Sequence, residues 1–148
     1  MALQNSIIAA LAWVLTALVA MPVHAGTLDW VVTVAPQLSA GLVNQTCYLF
    51  LDGHAAMSMG SISGIEVSIS DGDAVVEVRH SILPGDTGEF RVAVSASNPR
   101  VQRLLFGKRR VTLWAGEKPC EGLSEGGRRS LDFDDEAKRA SPVGELTK

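Results

Sequence analysis

Residues 65–80 read IEVSISDGDAVVEVRH, and this stretch decides the fold class of the chain. Its first half alternates apolar and polar residues, which predicts a strand with Ile65, Val67 and Ile69 toward the core. Its second half is rich in valine, and an Asp-Gly dipeptide separates the two halves. Because glycine readily adopts positive φ, this dipeptide between strand-like runs predicts a β-hairpin.

Further strand-like runs lie on both sides of the hairpin. They are rich in β-branched and aromatic residues and end near Gly, Pro or Asp. These runs are residues 28–34, stopping at Pro36, then 47–51, 90–94 and 109–114. Short strands at turn spacing predict a mainly β fold, either a small antiparallel β-sandwich or a barrel.

One short helix is predicted at about residues 99–106. Asn98 can cap this helix, a proline occupies its first position, and the glycine that follows can end it. Val101, Leu104 and Leu105 are spaced to share one helical face.

The first 25 residues have the pattern of a secretory signal peptide. Residues 7–21 are apolar or small except for Thr16, and Val23-His24-Ala25 resembles a cleavage site of small residues. A bilayer-spanning helix needs about 20 apolar residues, and this run is shorter. We therefore predict that residues 1–25 are removed, leaving no integral membrane span, with a retained anchor as the alternative.

The remaining chain divides by composition. Residues 26–122 contain the strand-like runs and predict a single β domain. Residues 123–148 are polar and contain few apolar side chains, which predicts a flexible tail.

Cys47 and Cys120 are the two cysteines of the chain. In an exported protein, two cysteines are expected to form one disulfide. Neither has another cysteine or a histidine at metal-ligand spacing, so no metal site is predicted. No motif predicts a cofactor.

The balance of charges restricts the partners. The chain has 13 Lys and Arg against 16 Asp and Glu, a net charge of −3, which argues against a nucleic-acid binder. A basic cluster nevertheless predicts a docking surface for a protein partner, an anionic surface or a glycan. The cluster consists of Arg91, Arg100, Arg103, Lys108, Arg109 and Arg110.

Two histidines of the expected domain define an enzymatic alternative. His54 follows Asp52 by two residues, and His80 ends a strand-like run. A small secreted hydrolase could use either histidine, but no nucleophile motif accompanies them. The chain is therefore predicted not to be an enzyme.

A third interpretation rests on residues 104–110, LLFGKRR. This stretch resembles the end of a peptide-hormone precursor segment, in which a glycine precedes a dibasic cleavage site. The resemblance implies a secreted precursor cut at Lys108-Arg109-Arg110.

These patterns together favour an exported, non-catalytic binding module located in a periplasm, at a cell surface or outside the cell. An accessory protein, an inhibitor or an assembly subunit fits that description. The sequence leaves open the oligomeric state and whether the source is bacterial or eukaryotic.

Overall fold

A computed structural model describes residues 25–55, 61–81, 88–97 and 99–140. Residues 1–24 of the expected signal peptide, the expected cap Asn98 and residues 141–148 of the expected tail lie outside this range. None of the helices in the described part of the chain is long and apolar enough to cross a membrane.

The described chain is built mainly from strands. The strands are β1 (Ala25–Thr27), β2 (Thr33–Val43), β3 (Thr46–Ala55), β4 (Ser61–Ser70), β5 (Asp73–Ser81), β6 (Glu89–Ser95), β7 (Arg103–Phe106), β8 (Val111–Ala115) and β9 (Arg128–Ser130). A 3-10 turn, Trp30–Val32, precedes β2, and a short helix, α1 (Asp135–Ala140), follows β9.

These strands form two sheets. The five-stranded sheet contains β4 on one side of β5, and β1 and β7 on the other side, with β8 beyond β7. The four-stranded sheet has the order β6-β3-β2-β9. Every pairing is antiparallel except that of β5 with β7. The predicted mainly β, antiparallel fold is thus confirmed.

The hairpin β4–β5 forms where the sequence predicts it. Ser70 pairs with Asp73, and the two residues between them have positive φ, 52° at Asp71 and 83° at Gly72. Two consecutive positive φ values define a type I′ turn, whose twist matches that of the flanking strands.

Large apolar side chains from both sheets make the core. The four-stranded sheet contributes Leu38, Leu49, Leu51, Val92 and Val94. The five-stranded sheet contributes Val76, Val78, Leu104, Phe106 and Leu113. We call the faces that carry these residues the core sides of the sheets, and the opposite faces their outer sides.

The predicted disulfide is confirmed. Cys47 on β3 bonds to Cys120, with a Cα–Cα distance of 5.8 Å. The bond joins the four-stranded sheet to the segment that follows β8, across 73 residues of sequence.

The expectation for residues 28–34 is only partly correct. Residues 30–32 form a 3-10 turn, and strand β2 then continues through Pro36 as far as Val43. Its register shifts between Val34 and Gln37, where Ala35 has a φ of 46°. At a bulge, the regular ladder of hydrogen bonds is already interrupted. The strand can therefore continue through proline, because the missing N–H removes no regular ladder bond.

The predicted position of the helix, about residues 99–106, is wrong. Residues 103–106 form β7, which pairs with β5 and β8, and the short α-helix lies at Asp135–Ala140 instead. Leu104, Leu105 and Phe106 are all buried. A short apolar run that is covered on both faces can match helical spacing by chance. Gly107, with a φ of 69°, begins the β7–β8 turn and ends no helix.

The sequence predicts a flexible tail at residues 123–148, but residues 128–140 are ordered and pack against the domain. We call residues 128–140 the C-terminal clasp. Strand β9 pairs with β2, and Leu131 and Phe133 pack against the core. The backbone of Ala137, 1% exposed, accepts a hydrogen bond of 3.0 Å from the indole N–H of Trp30. A few well-placed apolar residues and backbone hydrogen bonds therefore order a segment of polar composition.

We expect the disulfide to be a major source of stability. Closing a loop of this length is worth about 4 kcal/mol in the chain-entropy model. The double variant Cys47→Ser/Cys120→Ser should therefore unfold at a clearly lower temperature in a calorimetric scan. An unchanged transition would show that the bond contributes nothing to stability.

The clasp should also stabilise the domain. Phe133→Ala removes a half-buried ring that lies 5.3 Å from Trp30, and should cost about 2 kcal/mol in urea unfolding. Asp132→Ala changes the exposed neighbouring residue and is the matched control, with an expected change within ~0.5 kcal/mol. Equal stabilities for the two variants would contradict a packed clasp.

The attachment of α1 should depend on pH. Hydrogen bonding to Thr112, whose N–H lies 3.0 Å from a Glu136 carboxylate oxygen, lowers the pKa of Glu136. Because the pKa is lower in the folded state, the ionised Glu136 carboxylate stabilises the fold at pH values above its ordinary pKa of 4.5. This contribution is lost as the pH falls through the folded-state pKa. Urea unfolding at neutral and acidic pH should show a weaker pH dependence for Glu136→Gln than for the wild type. Identical pH dependence would exclude this role.

Candidate interaction surface

The six basic residues of the predicted docking surface do not form one patch. Arg91 lies on β6 of the four-stranded sheet, and Arg103 lies at the start of β7 in the five-stranded sheet. Arg100 precedes β7, whereas Lys108, Arg109 and Arg110 form the turn at the other end of that strand.

Two of these arginines make close ion pairs. The Arg91 Nε lies 2.6 Å from an Asp52 carboxylate oxygen on the neighbouring strand. Arg103 holds Asp73 with two hydrogen bonds, of 2.7 Å through Nε and 2.6 Å through Nη2. The hydrogen bond and the charge of Asp73 raise the pKa of Arg103. Both guanidinium groups are therefore already engaged by carboxylates.

The other members of the cluster divide into paired and unpaired residues. Arg100 lies 3.2 Å from Glu117, and Arg109 lies 3.3 Å from Asp29. Lys108 and Arg110 are exposed, and neither forms an ion pair with another described residue. The structure therefore separates the six residues and neutralises four of them. Binding of an anionic partner by this cluster stays a prediction.

The two histidines lie on different sheets. His54 is exposed on the outer side of β3, where it pairs with Glu89 of β6. His80 is half-buried at the end of β5 and packs beside Gly26 of β1. Asp52, the expected partner of His54, is bonded to Arg91. The described chain thus places no carboxylate–histidine hydrogen bond at either residue.

The basic turn expected in the precursor interpretation joins two strands of the core. Phe106 pairs with Val111 across the turn, and Phe106 and Leu113 are fully buried. Cleavage at Lys108-Arg109-Arg110 would cut between β7 and β8 of the packed sheet.

A shallow cavity lies beside the disulfide. Its volume is about 360 Å³, and Cys47, Cys120, Arg100 and Lys118 are among its lining residues. Within the described residues, no group of three or more His, Cys, Asp or Glu side chains is placed to hold a metal ion.

The most distinctive surface is the free edge of β4. Residues of β4 pair with β5, and from Gly64 to Ser70 no other described strand pairs with the opposite side of the β4 backbone. Ile65 and Val67 pair with Val78 and Val76, which are fully buried. Directly paired residues project from the same face, so Ile65 and Val67 lie on the core side of the sheet.

These two core-side residues are nevertheless exposed. Ile65 is 42% exposed and Val67 is 38% exposed, whereas Ile62 and Ile69, nearer the two ends of the same strand, pack against the core. The core therefore reaches both ends of β4 and leaves Ile65 and Val67 in its middle exposed. We call Ile65, Val67 and the adjoining backbone of β4 the β4 edge.

The outer side of the β4 edge is polar. Glu66 pairs directly with Glu77 of β5, an unfavourable arrangement of like charges. Arg79 forms a salt bridge with Glu66 and partly offsets this repulsion. The edge thus has an apolar core side and a hydrated outer side.

Sequence alternation correctly predicted the face on which Ile65 and Val67 lie, but not that they are exposed. No sequence signal identifies the edge: natural edge strands commonly carry Lys or Pro, and residues 61–70 contain neither, a composition that predicts a covered strand. No family model, no curated protein and no solved structure matches the chain.

Proposed function

We propose that this chain is an exported, non-catalytic protein-interaction module of a periplasm or cell surface, and that it binds its partner through the β4 edge. The signal-like pattern of residues 1–25 and the disulfide support an oxidising compartment outside the cytoplasm. An accessory protein, an inhibitor or an assembly subunit would each need such a docking surface.

The observation that carries the proposal is the coincidence of a free backbone edge with exposed core-side apolar residues. Backbone N–H and C=O groups at a sheet edge can pair with an incoming strand, which supplies affinity. Ile65 and Val67 then provide side-chain contacts beside that ladder. Full burial of such a side chain is worth about 1.5–3 kcal/mol, so completing the burial of both adds roughly 1–3 kcal/mol.

The chemistry of the edge defines the partner. An extended segment with alternating apolar residues would continue the sheet and cover Ile65 and Val67. Glu66 on the outer side favours a polar or basic residue opposite it, because two directly opposed acids repel. The partner is therefore a protein that presents a strand, rather than a small molecule.

The test compares two exposed valines of similar accessibility. Val67→Lys places a charge on the core side of the edge, a device by which natural sheets block strand addition. Val43→Lys is the matched control, because Val43 is 41% exposed but lies beside the β2–β3 turn. Both variants should retain the wild-type melting temperature within a few degrees, since surface substitutions change stability little.

The measurement is affinity capture of the tagged mature chain from its native envelope or secretion fraction, with quantitative mass spectrometry. We expect a stoichiometric protein partner that Val43→Lys retains and Val67→Lys loses by at least tenfold. A partner retained equally by both variants would contradict the proposal, as would the absence of any stoichiometric partner, an untagged copy of this chain included.

A further inference from the structure

We infer that the strand received by the β4 edge is β4 of a second copy of this chain, in a symmetric dimer with its two-fold axis at Val67. This inference rests on the proposed function, because it names the partner of the same edge. It follows from a comparison of the sheet edges and from the sequence pattern of β4 itself.

The other sheet edges are short, covered or charged. Strands β1 and β9 have three residues each. The clasp covers β8, where the N–H of Asp134 donates to the carbonyl of Leu113 at 2.8 Å. Strand β6 presents Glu89 and Arg91, both exposed. Such features are the usual protection against strand addition.

Strand β4 lacks most of these protections: its one charged residue is Glu66, on the outer side, where Arg79 of β5 pairs with it. It spans ten residues without Lys, Arg or Pro, and its one register shift lies between Ile62 and Gly64, near its N-terminal end. The stretch from Gly64 to Ser70 is regularly paired with β5, and no strand in the described ranges pairs with its other side. The exposed ladder is therefore long enough for a strand of the same length.

The sequence of this stretch is complementary to itself. Around Val67, the order Ile65-Glu66-Val67-Ser68-Ile69 is apolar, polar, apolar, polar, apolar in either direction. A two-fold axis perpendicular to the sheet brings Val67 opposite Val67 of the second copy and Ile65 opposite Ile69 of the second copy. Pairs of β-branched residues are among the favourable cross-strand pairs.

Charge selects this register over its neighbour. With the axis at Val67, Glu66 lies opposite Ser68 of the second copy, so the two Glu66 carboxylates are diagonal neighbours and not directly opposed. With the axis at Glu66, the two Glu66 carboxylates would face each other, and like charges directly opposite are destabilising. An axis at Ser68 would leave Ile65 without a strand residue opposite it, because β4 ends at Ser70.

Pairing in this register removes both features of the exposed edge at once. The two five-stranded sheets become one continuous sheet, and the core-side apolar residues of both copies form a single strip. The contact is isologous, so each copy uses its β4 edge once and the assembly closes at two copies. A closed dimer thereby prevents the open-ended strand addition that a free apolar edge invites.

The experiment combines sedimentation with cysteine cross-linking of the mature chain, whose native cysteines are joined in the disulfide. In sedimentation equilibrium, we expect a dimer that Val67→Lys weakens at least tenfold and Val43→Lys leaves unchanged. A short bifunctional thiol reagent should link Val67→Cys to itself, because directly paired Cβ atoms lie about 4.5–5.5 Å apart, slightly farther than the Cβ atoms of a disulfide.

Two further cysteine variants test the register. Ile65→Cys alone should not cross-link, since the two copies of residue 65 are offset by about 14 Å along the strands. A mixture of Ile65→Cys and Ile69→Cys should cross-link, because these positions face each other in the dimer. Val43→Cys should give no cross-link and controls for random collision.

Each other outcome overturns the inference. A monomer at all concentrations, or a dimer in which Val67→Cys fails to cross-link, excludes self-pairing at Val67. If capture then still finds a different protein that Val67→Lys loses, the proposed function stands with another partner. If capture also finds no β4-dependent partner, both fail.

Discussion

Burial of the Trp30 indole is the interaction on which the closed side of the sandwich depends. Its ring lies 5.3 Å from the rings of both Phe106 and Phe133, and its N–H donates to the carbonyl of Ala137. These contacts join the turn before β2, the central strand β7 and the C-terminal clasp, which are distant in sequence. The clasp in turn covers the β8 edge, where the N–H of Asp134 donates to the carbonyl of Leu113, and the rings of Trp30 and Phe106 are buried.

Local sequence signals were sufficient where the structure depends on neighbouring residues. The Asp71-Gly72 turn, the alternation of residues 65–70 and the two cysteines each specify their structure through turn geometry, side-chain period or covalent chemistry. The same signals failed where distant segments decide the outcome. Leu104 and Leu105 match a helical face, but β5 and β8 flank them and hold residues 103–106 as a strand.

The clasp and the candidate surface were missed for a related physical reason. Composition reports how much apolar surface a segment contains, whereas order depends on whether a few side chains reach a core, as Phe133 and Ala137 do. Clusters of arginines in sequence likewise do not predict a positive patch, because carboxylates on neighbouring strands pair with individual arginines, as Asp73 of β5 does with Arg103 of β7. Alternation gives the face of a residue, but the extent of the opposite sheet determines whether that residue is covered.

The edges at β8 and β4 therefore differ in how their backbone groups and apolar side chains are covered. A sheet edge has unpaired backbone groups, and a core side has apolar residues that gain free energy when covered. The clasp meets both needs at β8 from within the chain, through the backbone of Asp134 and the side chain of Phe133. At β4 the described chain provides no equivalent cover, although Ile65 and Val67 keep the apolar character of buried residues. Cover from a second molecule would satisfy at β4 the same two requirements that the clasp satisfies at β8.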